Sequence, residues 1–133
     1  DPAPWLLEPV AGLIDAGETP EDCARREAVE EAGLLLDALH FVARYYPSPG
    51  GVAQVLFSYV GLADLPEDAA TLAGHEDEGE DILGHVIPFA EAMEMMAAGD
   101  IVNAPAIISL QWLSVNRDRL RAGAGGDQGA GSA

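Results

Sequence analysis

Three glutamates close together on one predicted helix are the residues best suited to chemistry. Glu27, Glu30 and Glu31 lie three and four positions apart, so one helix face carries all three carboxylates. Unpaired carboxylates at such spacings repel by a few tenths of a kcal/mol per pair, which favours a bound counter-ion. Mg²⁺ or Mn²⁺ suits oxygen ligands of this kind. Arg26, four residues before Glu30, can hold one carboxylate in place and leave Glu27 and Glu31 freer for metal. The simpler interpretation, without metal, is a solvated acidic helix face with an Arg-Glu pair.

The helix that positions these glutamates has recognisable ends. Thr19 followed by Pro20 is typical of an N-cap with proline at the first helical position, and Asp22 can complete a variant capping box. Gly33 stands where a left-handed C-terminal cap is expected. The sequence therefore predicts a helix from about Thr19 to Gly33.

The flanking glycines extend the pattern into a known motif. Gly12, Glu18, Arg26-Glu27, Glu30-Glu31 and Gly33 follow one another at the spacing of the Nudix box, which this stretch closely resembles. Ala28, where a bulkier aliphatic residue is commoner, is a mild departure. The resemblance implies an α/β fold, namely the Nudix α/β/α sandwich with a mixed sheet. It also implies Mg²⁺-dependent hydrolysis of a nucleoside diphosphate linked to another group, with Mn²⁺ as a possible substitute.

The resemblance also implies roles for individual residues. Glu18 and Arg26 are expected to orient the loop and the helix. The expected metal ligands are the carbonyl oxygen of Ala11 and the carboxylates of Glu27, Glu30, Glu31 and Glu80.

A second acidic cluster, Gly74–Asp81, contains five acids in eight residues. By itself this composition is typical of a charged, disordered loop. In the family a loop of this kind carries a catalytic glutamate, so the resemblance assigns Glu78 as general base, with Glu76 as its nearest rival. Glu78, Glu27 and Glu31 form the expected catalytic set.

The turn Pro47–Gly51 suggests a substrate. Pro49 stands sixteen residues after Gly33, a spacing similar to that of bacterial ADP-ribose pyrophosphatases. The resemblance implies that Pro49, Gly50 and Gly51 contact substrate and that ADP-ribose is hydrolysed to AMP and ribose 5-phosphate. Ala53-Gln54 stands where the resemblance predicts a Ser-Glu pair, so the sequence supplies no carboxylate at this place. Another nucleoside diphosphate derivative, such as a sugar nucleotide, and a nucleotide-sensing module without catalysis are the alternatives.

Composition limits the partners and the compartment. The 133 residues carry 23 acids against 6 arginines and no lysine, a formal charge of −17, which argues against nucleic acid and anionic membranes as partners. The single cysteine, Cys23, excludes an internal disulfide and is expected to be a buried small side chain. No apolar run approaches eighteen residues, so a cytoplasmic protein is predicted. The resemblance adds a homodimer.

The whole chain is predicted to form one domain over 1–122, followed by a disordered Gly/Ala/Ser tail over 123–133. Because the resembled fold has strands before its box, the chain is expected to begin inside the domain, without the N-terminal strands. His40 is predicted to be a strand residue, hydrogen-bonded or half-exposed. Strands are predicted at Trp5–Val10, within Leu34–Tyr46, at Val52–Leu62 and at Ile82–Pro88, and further helices at Phe89–Ala98 and from Asn103 to about Arg121.

Overall fold

The computed structural model of the 133-residue chain describes residues 7–65, 71–73 and 83–123. In chain order the elements are α1 (Pro20–Ala32), β1 (Ala38–Tyr45), β2 (Leu56–Leu62), β3 (Thr71–Ala73), β4 (Leu83–His85), α2 (Phe89–Ala97) and α3 (Ala104–Ala122). Helices and sheet occur together, so the α/β class is confirmed. The described strands form two antiparallel pairs, β1 with β2 and β3 with β4.

Helix α1 has the ends that its sequence predicts. The Thr19 hydroxyl accepts a hydrogen bond of 3.1 Å from the backbone N–H of Asp22, and Pro20 occupies the first turn. Gly33 ends the helix with φ of 66°, a left-handed conformation that favours glycine, and its N–H reaches the carbonyl of Val29 at 2.9 Å. These caps satisfy backbone groups that helix ends otherwise leave unbonded.

The β1–β2 hairpin forms the main described sheet. Its register runs from Ala38 opposite Leu62 to Tyr45 opposite Leu56, with an irregularity between Phe41 and Ala43. Strand β2 begins at Leu56, four residues later than predicted, because β1 ends at Tyr45 and residues 52–55 have no opposite residues on it. The predicted turn is present, with the N–H of Gly51 bonded to the carbonyl of Ser48 at 3.1 Å.

The chain before the box departs from its predicted strand. Residues 7–10 carry no strand hydrogen bonds, and residues 1–6 lie outside the described part. Pro9 has no N–H to give to a ladder, which is consistent with this irregular backbone.

Helix α3 covers part of the hairpin, and α2 packs against α3. The Asn103 side chain caps α3 by accepting a 3.0 Å hydrogen bond from the N–H of Ala106, and α3 packs on β2. Helix α2 packs on α3, where the Arg117 guanidinium lies 4.8 Å from the centre of the Phe89 ring. Among the described residues, no helix combines the length and apolar character needed to cross a bilayer.

His40 differs from the sequence prediction. Its side chain is 1% exposed, and neither ring nitrogen has a hydrogen-bond partner among the described residues. The prediction of a half-exposed or hydrogen-bonded histidine is therefore wrong for the described part of the chain. The cause is its place in β1, where Ala38, Leu39 and His40 are all buried although successive strand residues face opposite sides. Both faces of the sheet are covered at that point.

Candidate functional site

Arg26 is the centre of an ion-pair cluster that joins α1 to the preceding loop. Its guanidinium binds the Glu18 carboxylate through two hydrogen bonds, Nε to Oε2 at 2.8 Å and Nη2 to Oε1 at 3.0 Å. Nη2 also donates to the Leu13 carbonyl at 3.0 Å. This paired geometry is the strong, directional form of an arginine–carboxylate contact. The hydrogen bonds from Arg26 hold the pKa of Glu18 at about 2, below its ordinary 4.5, so Glu18 stays a carboxylate.

The same guanidinium reaches further along the helix. Arg26 Nη1 donates to Glu27 Oε1 at 2.7 Å and to Glu30 Oε2 at 3.0 Å. The sequence predicted the pairing with Glu30 but expected Glu27 to be freer of Arg26. That expectation is corrected by the structure, because one nitrogen bridges both carboxylates. Arg26 thus offsets repulsion within the acidic face.

Gly12 lies directly against Glu27. A Cβ added to Gly12 would stand closer than 3.0 Å to three atoms of the Glu27 side chain, a distance that real Cβ atoms essentially never show. Glu27 itself is only 9% exposed. The glycine at this position is therefore required by the close approach of the carboxylate to the loop backbone, and not by a positive φ.

Glu31 contacts the same loop at Ala11, the residue before Gly12. Its Oε2 accepts a 3.1 Å hydrogen bond from the N–H of Ala11, twenty residues away in sequence. Cys23 packs beneath the loop, with Sγ 3.5 Å from the Leu13 carbonyl oxygen. The cysteine is buried, as predicted, and burial raises the pKa of its thiol. The loop 11–13 and the glutamate face of α1 are thus packed together.

The donor atoms in this region suit a hard divalent cation. Carboxylate oxygens from Glu27, Glu30 and Glu31 stand on one helix face, and the backbone of Ala11 and Gly12 adjoins two of them. Over residues 7–65, 71–73 and 83–123, however, no three acidic, histidine or cysteine side chains are gathered at metal-binding distances. Cation binding at these residues would therefore require rearrangement of carboxylates, including those now bonded to Arg26.

The other predicted site residues are in the hairpin turn or outside the described residues. Pro49, Gly50 and Gly51 are exposed in the turn of the β1–β2 hairpin. Glu76, Glu78 and Glu80 lie outside the described residues.

A hydrogen bond between the sheet and the helix escaped the sequence analysis. Tyr59 Oη on β2 donates to Glu21 Oε1 in the first turn of α1, at 2.6 Å. Burial, together with this bond, raises the pKa of Tyr59, so the phenol remains a donor at neutral pH. The two residues are 38 positions apart, so no local pattern could have indicated the contact. A cavity of about 490 Å³ lies beside this contact, lined by Ala11, Gly12, Glu27 and Tyr59 among others.

Comparison with known proteins agrees with the box geometry. The sequence profile of the NUDIX domain matches residues 1–110, which is most of the chain. The chain belongs to the Nudix family. The resemblance inferred from the Gly12–Gly33 motif is thereby confirmed.

Individual relatives of this Nudix chain are pyrophosphatases by name. It is 43% identical to the ADP-ribose pyrophosphatase of Escherichia coli K12 over 118 residues, 89% of the chain and 56% of that protein. It is 40% identical to the ADP-ribose pyrophosphatase of Haemophilus influenzae Rd over 119 residues, 90% of the chain and 54% of that protein. Identity to the GDP-mannose pyrophosphatase of Enterobacter sp. 638 is 37% over 111 residues, 84% of the chain and 56% of that protein. The chain spans about half the length of the curated relatives it matches.

Proposed function

We propose that this protein hydrolyses the diphosphate bond of ADP-ribose to AMP and ribose 5-phosphate in a Mg²⁺-dependent reaction. The observation that carries the proposal is the packing of the Glu27 and Glu31 side chains against the backbone of Gly12 and Ala11. This packing brings helix carboxylates and loop backbone, the two donor types that the Nudix box is expected to supply, to one place. The names of the relatives support ADP-ribose as substrate.

The residues divide into four proposed roles: metal ligands, general base, orientation of the loop and helix, and contact with substrate. A divalent cation supplies charge neutralisation at the diphosphate and activates water when bound. Glu78 takes the proton of the attacking water as general base. Glu18 and Arg26 set the relative position of loop and helix through their paired hydrogen bonds. The proposed ligands are the Ala11 carbonyl and the carboxylates of Glu27, Glu30, Glu31 and Glu80.

Residues Pro49, Gly50 and Gly51 are proposed to contact the substrate from the hairpin turn. A sugar nucleotide is the second candidate substrate, because relatives named GDP-mannose pyrophosphatase match at 34 to 37% identity. A homodimer and a cytoplasmic location remain predictions from the sequence.

The substrate is tested by incubating the protein with Mg²⁺ and, separately, ADP-ribose, ADP-glucose, GDP-mannose and NADH, then separating the products by chromatography. AMP and ribose 5-phosphate forming fastest from ADP-ribose is the expected result. Faster cleavage of GDP-mannose would replace the substrate and keep the hydrolase. Nucleotide binding without cleavage of any compound would contradict the enzyme and favour a sensing module.

The base is tested separately with Glu78→Gln, using Glu76→Gln as its matched control. Removing the base should lower kcat by about 10²- to 10⁴-fold, the usual contribution of general base catalysis. The amount of Mn²⁺ bound should stay unchanged, because Glu78 is proposed to bind water and not metal. A larger loss of kcat in Glu76→Gln would move the base to Glu76.

A further inference from the structure

The contact between Tyr59 and Glu21 stands apart from the box but holds the helix that carries its glutamates. The Oη to Oε1 distance of 2.6 Å lies within the 2.5–2.7 Å typical of a hydroxyl bonded to a carboxylate. Such bonds are about twice as strong as neutral ones. The Tyr59 ring is also fixed from the sheet side, since it meets Phe41 edge to face with ring centres 5.7 Å apart. Tyr59 is therefore a rigid donor on the hairpin.

Glu21 is the matching acceptor at the start of the helix. It lies in the first turn of α1, where a carboxylate is also stabilised by the helix dipole. Ala28 and Ala32, seven and eleven positions later, are both buried and continue the same stripe of the helix. The contact thus fixes the N-terminal end of this buried stripe.

The geometry points to Tyr59 and Glu21 as positioning residues for the metal-binding carboxylates: their hydrogen bond sets the tilt of α1 on the hairpin, and so the places of Glu27 and Glu31. This inference rests on the proposed metal dependence of the function. Tyr59 lies outside the Gly12–Gly33 motif, so its role as a positioning residue is inferred from the structure alone.

A small tilt of α1 would move Glu31 far enough to affect metal binding. Glu31 is ten residues beyond Glu21, which is about 15 Å along the axis at 1.5 Å per residue. A tilt of about 4° at the N-terminal end then moves Glu31 by roughly 1 Å. Displacements of that size are enough to disturb ligand geometry and catalysis. The Arg26 cluster holds α1 to the preceding loop. Arg25 Nη1 donates to the Leu36 carbonyl at 2.8 Å and so holds the middle of α1 to the residues before β1. The Tyr59 contact restrains the first turn of the helix, which these bonds do not reach.

The test compares Tyr59→Phe, which removes only the hydroxyl, with Tyr45→Phe. Tyr45 is a matched control because its hydroxyl lies 2.9 Å from Ser58 Oγ, so both partners belong to the hairpin. Mn²⁺ affinity is measured by the EPR signal of the free ion, and the half-saturating Mg²⁺ concentration is measured for ADP-ribose hydrolysis. Tyr59→Phe should weaken the Mn²⁺ affinity and raise the half-saturating Mg²⁺ concentration, each by about three- to tenfold, a part of what a hydrogen bond to a charged group is worth. Tyr45→Phe should change the Mn²⁺ affinity and the half-saturating Mg²⁺ concentration by less than about twofold. In both variants the KM for ADP-ribose at saturating metal should stay unchanged.

Variants of Glu21 remove the same hydrogen bond from the helix side. They keep the inference testable if Tyr59→Phe folds poorly. Glu21→Gln keeps an acceptor oxygen and should restore most of the affinity that Glu21→Ala loses. Tyr59→Phe combined with Glu21→Ala should be no worse than either change alone, because both remove the same bond. Mn²⁺ affinity equal to wild type in Tyr59→Phe and Glu21→Ala overturns the inference, even if their melting temperatures fall.

The same measurements distinguish a wrong proposed function from a wrong role for Tyr59. If the wild type binds Mn²⁺ but hydrolyses none of the nucleotides, the function is wrong, and the Mn²⁺ affinities still decide the role of Tyr59. If the wild type binds no Mn²⁺, both are overturned.

Discussion

Gly12→Ala should damage metal binding by displacing one carboxylate. The backbone of Gly12 does not have a positive φ, so alanine can adopt it without backbone strain. The new Cβ, however, would stand closer than 3.0 Å to three atoms of Glu27. Ordinary carbon–carbon contacts are about 3.5 to 4.0 Å, so Glu27 must withdraw by roughly 1 Å or more. The carboxylate then leaves the loop backbone against which it packs.

The displacement sets the expected size of the effect. A misplacement of about 1 Å at a catalytic site can cost on the order of 100-fold in rate, so kcat/KM for ADP-ribose should fall by about that factor. Overpacking should also lower the free energy of unfolding by about 1 to 3 kcal/mol. The assay is initial-rate kinetics over a series of Mg²⁺ concentrations, together with urea unfolding of the same preparations.

Gly61→Ala is the control that separates the effect of a steric clash on stability from the effect of displacing Glu27 on metal binding. Its Cβ would meet two methyl carbons of Leu36 at 2.8 and 2.9 Å, a milder clash with an apolar partner. This variant should lose stability while keeping the Mg²⁺ dependence of the wild type. A Gly12→Ala enzyme with wild-type kcat/KM and Mg²⁺ dependence would refute the reasoning that Glu27 must stay against the loop. Equal loss of metal dependence in both variants would refute it too.

Three further changes test parts of the structure. His40→Leu should raise the free energy of unfolding in urea by about 1 to 3 kcal/mol, because it removes buried ring nitrogens that have no partner among the described residues; a loss of stability would mean that His40 is bonded. Glu18→Gln should be less stable than wild type at pH 5 to 7, and the difference should close as the pH falls from about 4.5 to about 2, since the folded protein keeps Glu18 ionised where the unfolded chain protonates it. A difference that is constant over this range would contradict the lowered pKa. Thr19→Ala should cost about 1 kcal/mol through loss of the cap to the N–H of Asp22, measured by thermal unfolding; an unchanged melting temperature would show that the cap is not needed.

The sequence predicted the helix and its box well because both depend on local signals. Thr19, Pro20 and Gly33 fix the ends of α1 through caps within a few residues, and each does so in the structure. The pairing of Arg26 with Glu30 also follows from their spacing of four residues on the helix, and the structure has it at 3.0 Å. Fold class and family could therefore be predicted from fewer than thirty residues.

Contacts between distant residues could not be predicted in the same way. The bond between Arg26 and its neighbour Glu27 forms where Glu27 packs against Gly12, a residue in the preceding loop. The burial of His40 depends on what covers each face of β1, and the late start of β2 depends on where β1 ends. Tyr59 meets Glu21 only after hairpin and helix have packed. In each case the deciding partner is far away in the chain.

The most direct test of the central claim is the rate of AMP formation from ADP-ribose, measured against Mg²⁺ concentration for the wild type and Glu31→Gln. If the carboxylates of α1 hold the catalytic metal, the wild-type rate rises from near zero to saturation with Mg²⁺. The rate of Glu31→Gln should then be lower by orders of magnitude, although its unfolding is little changed, because glutamine keeps an oxygen that can accept the hydrogen bond from the N–H of Ala11. Equal rates in the two proteins, or a wild-type rate that does not respond to Mg²⁺, would contradict the metal site at these glutamates.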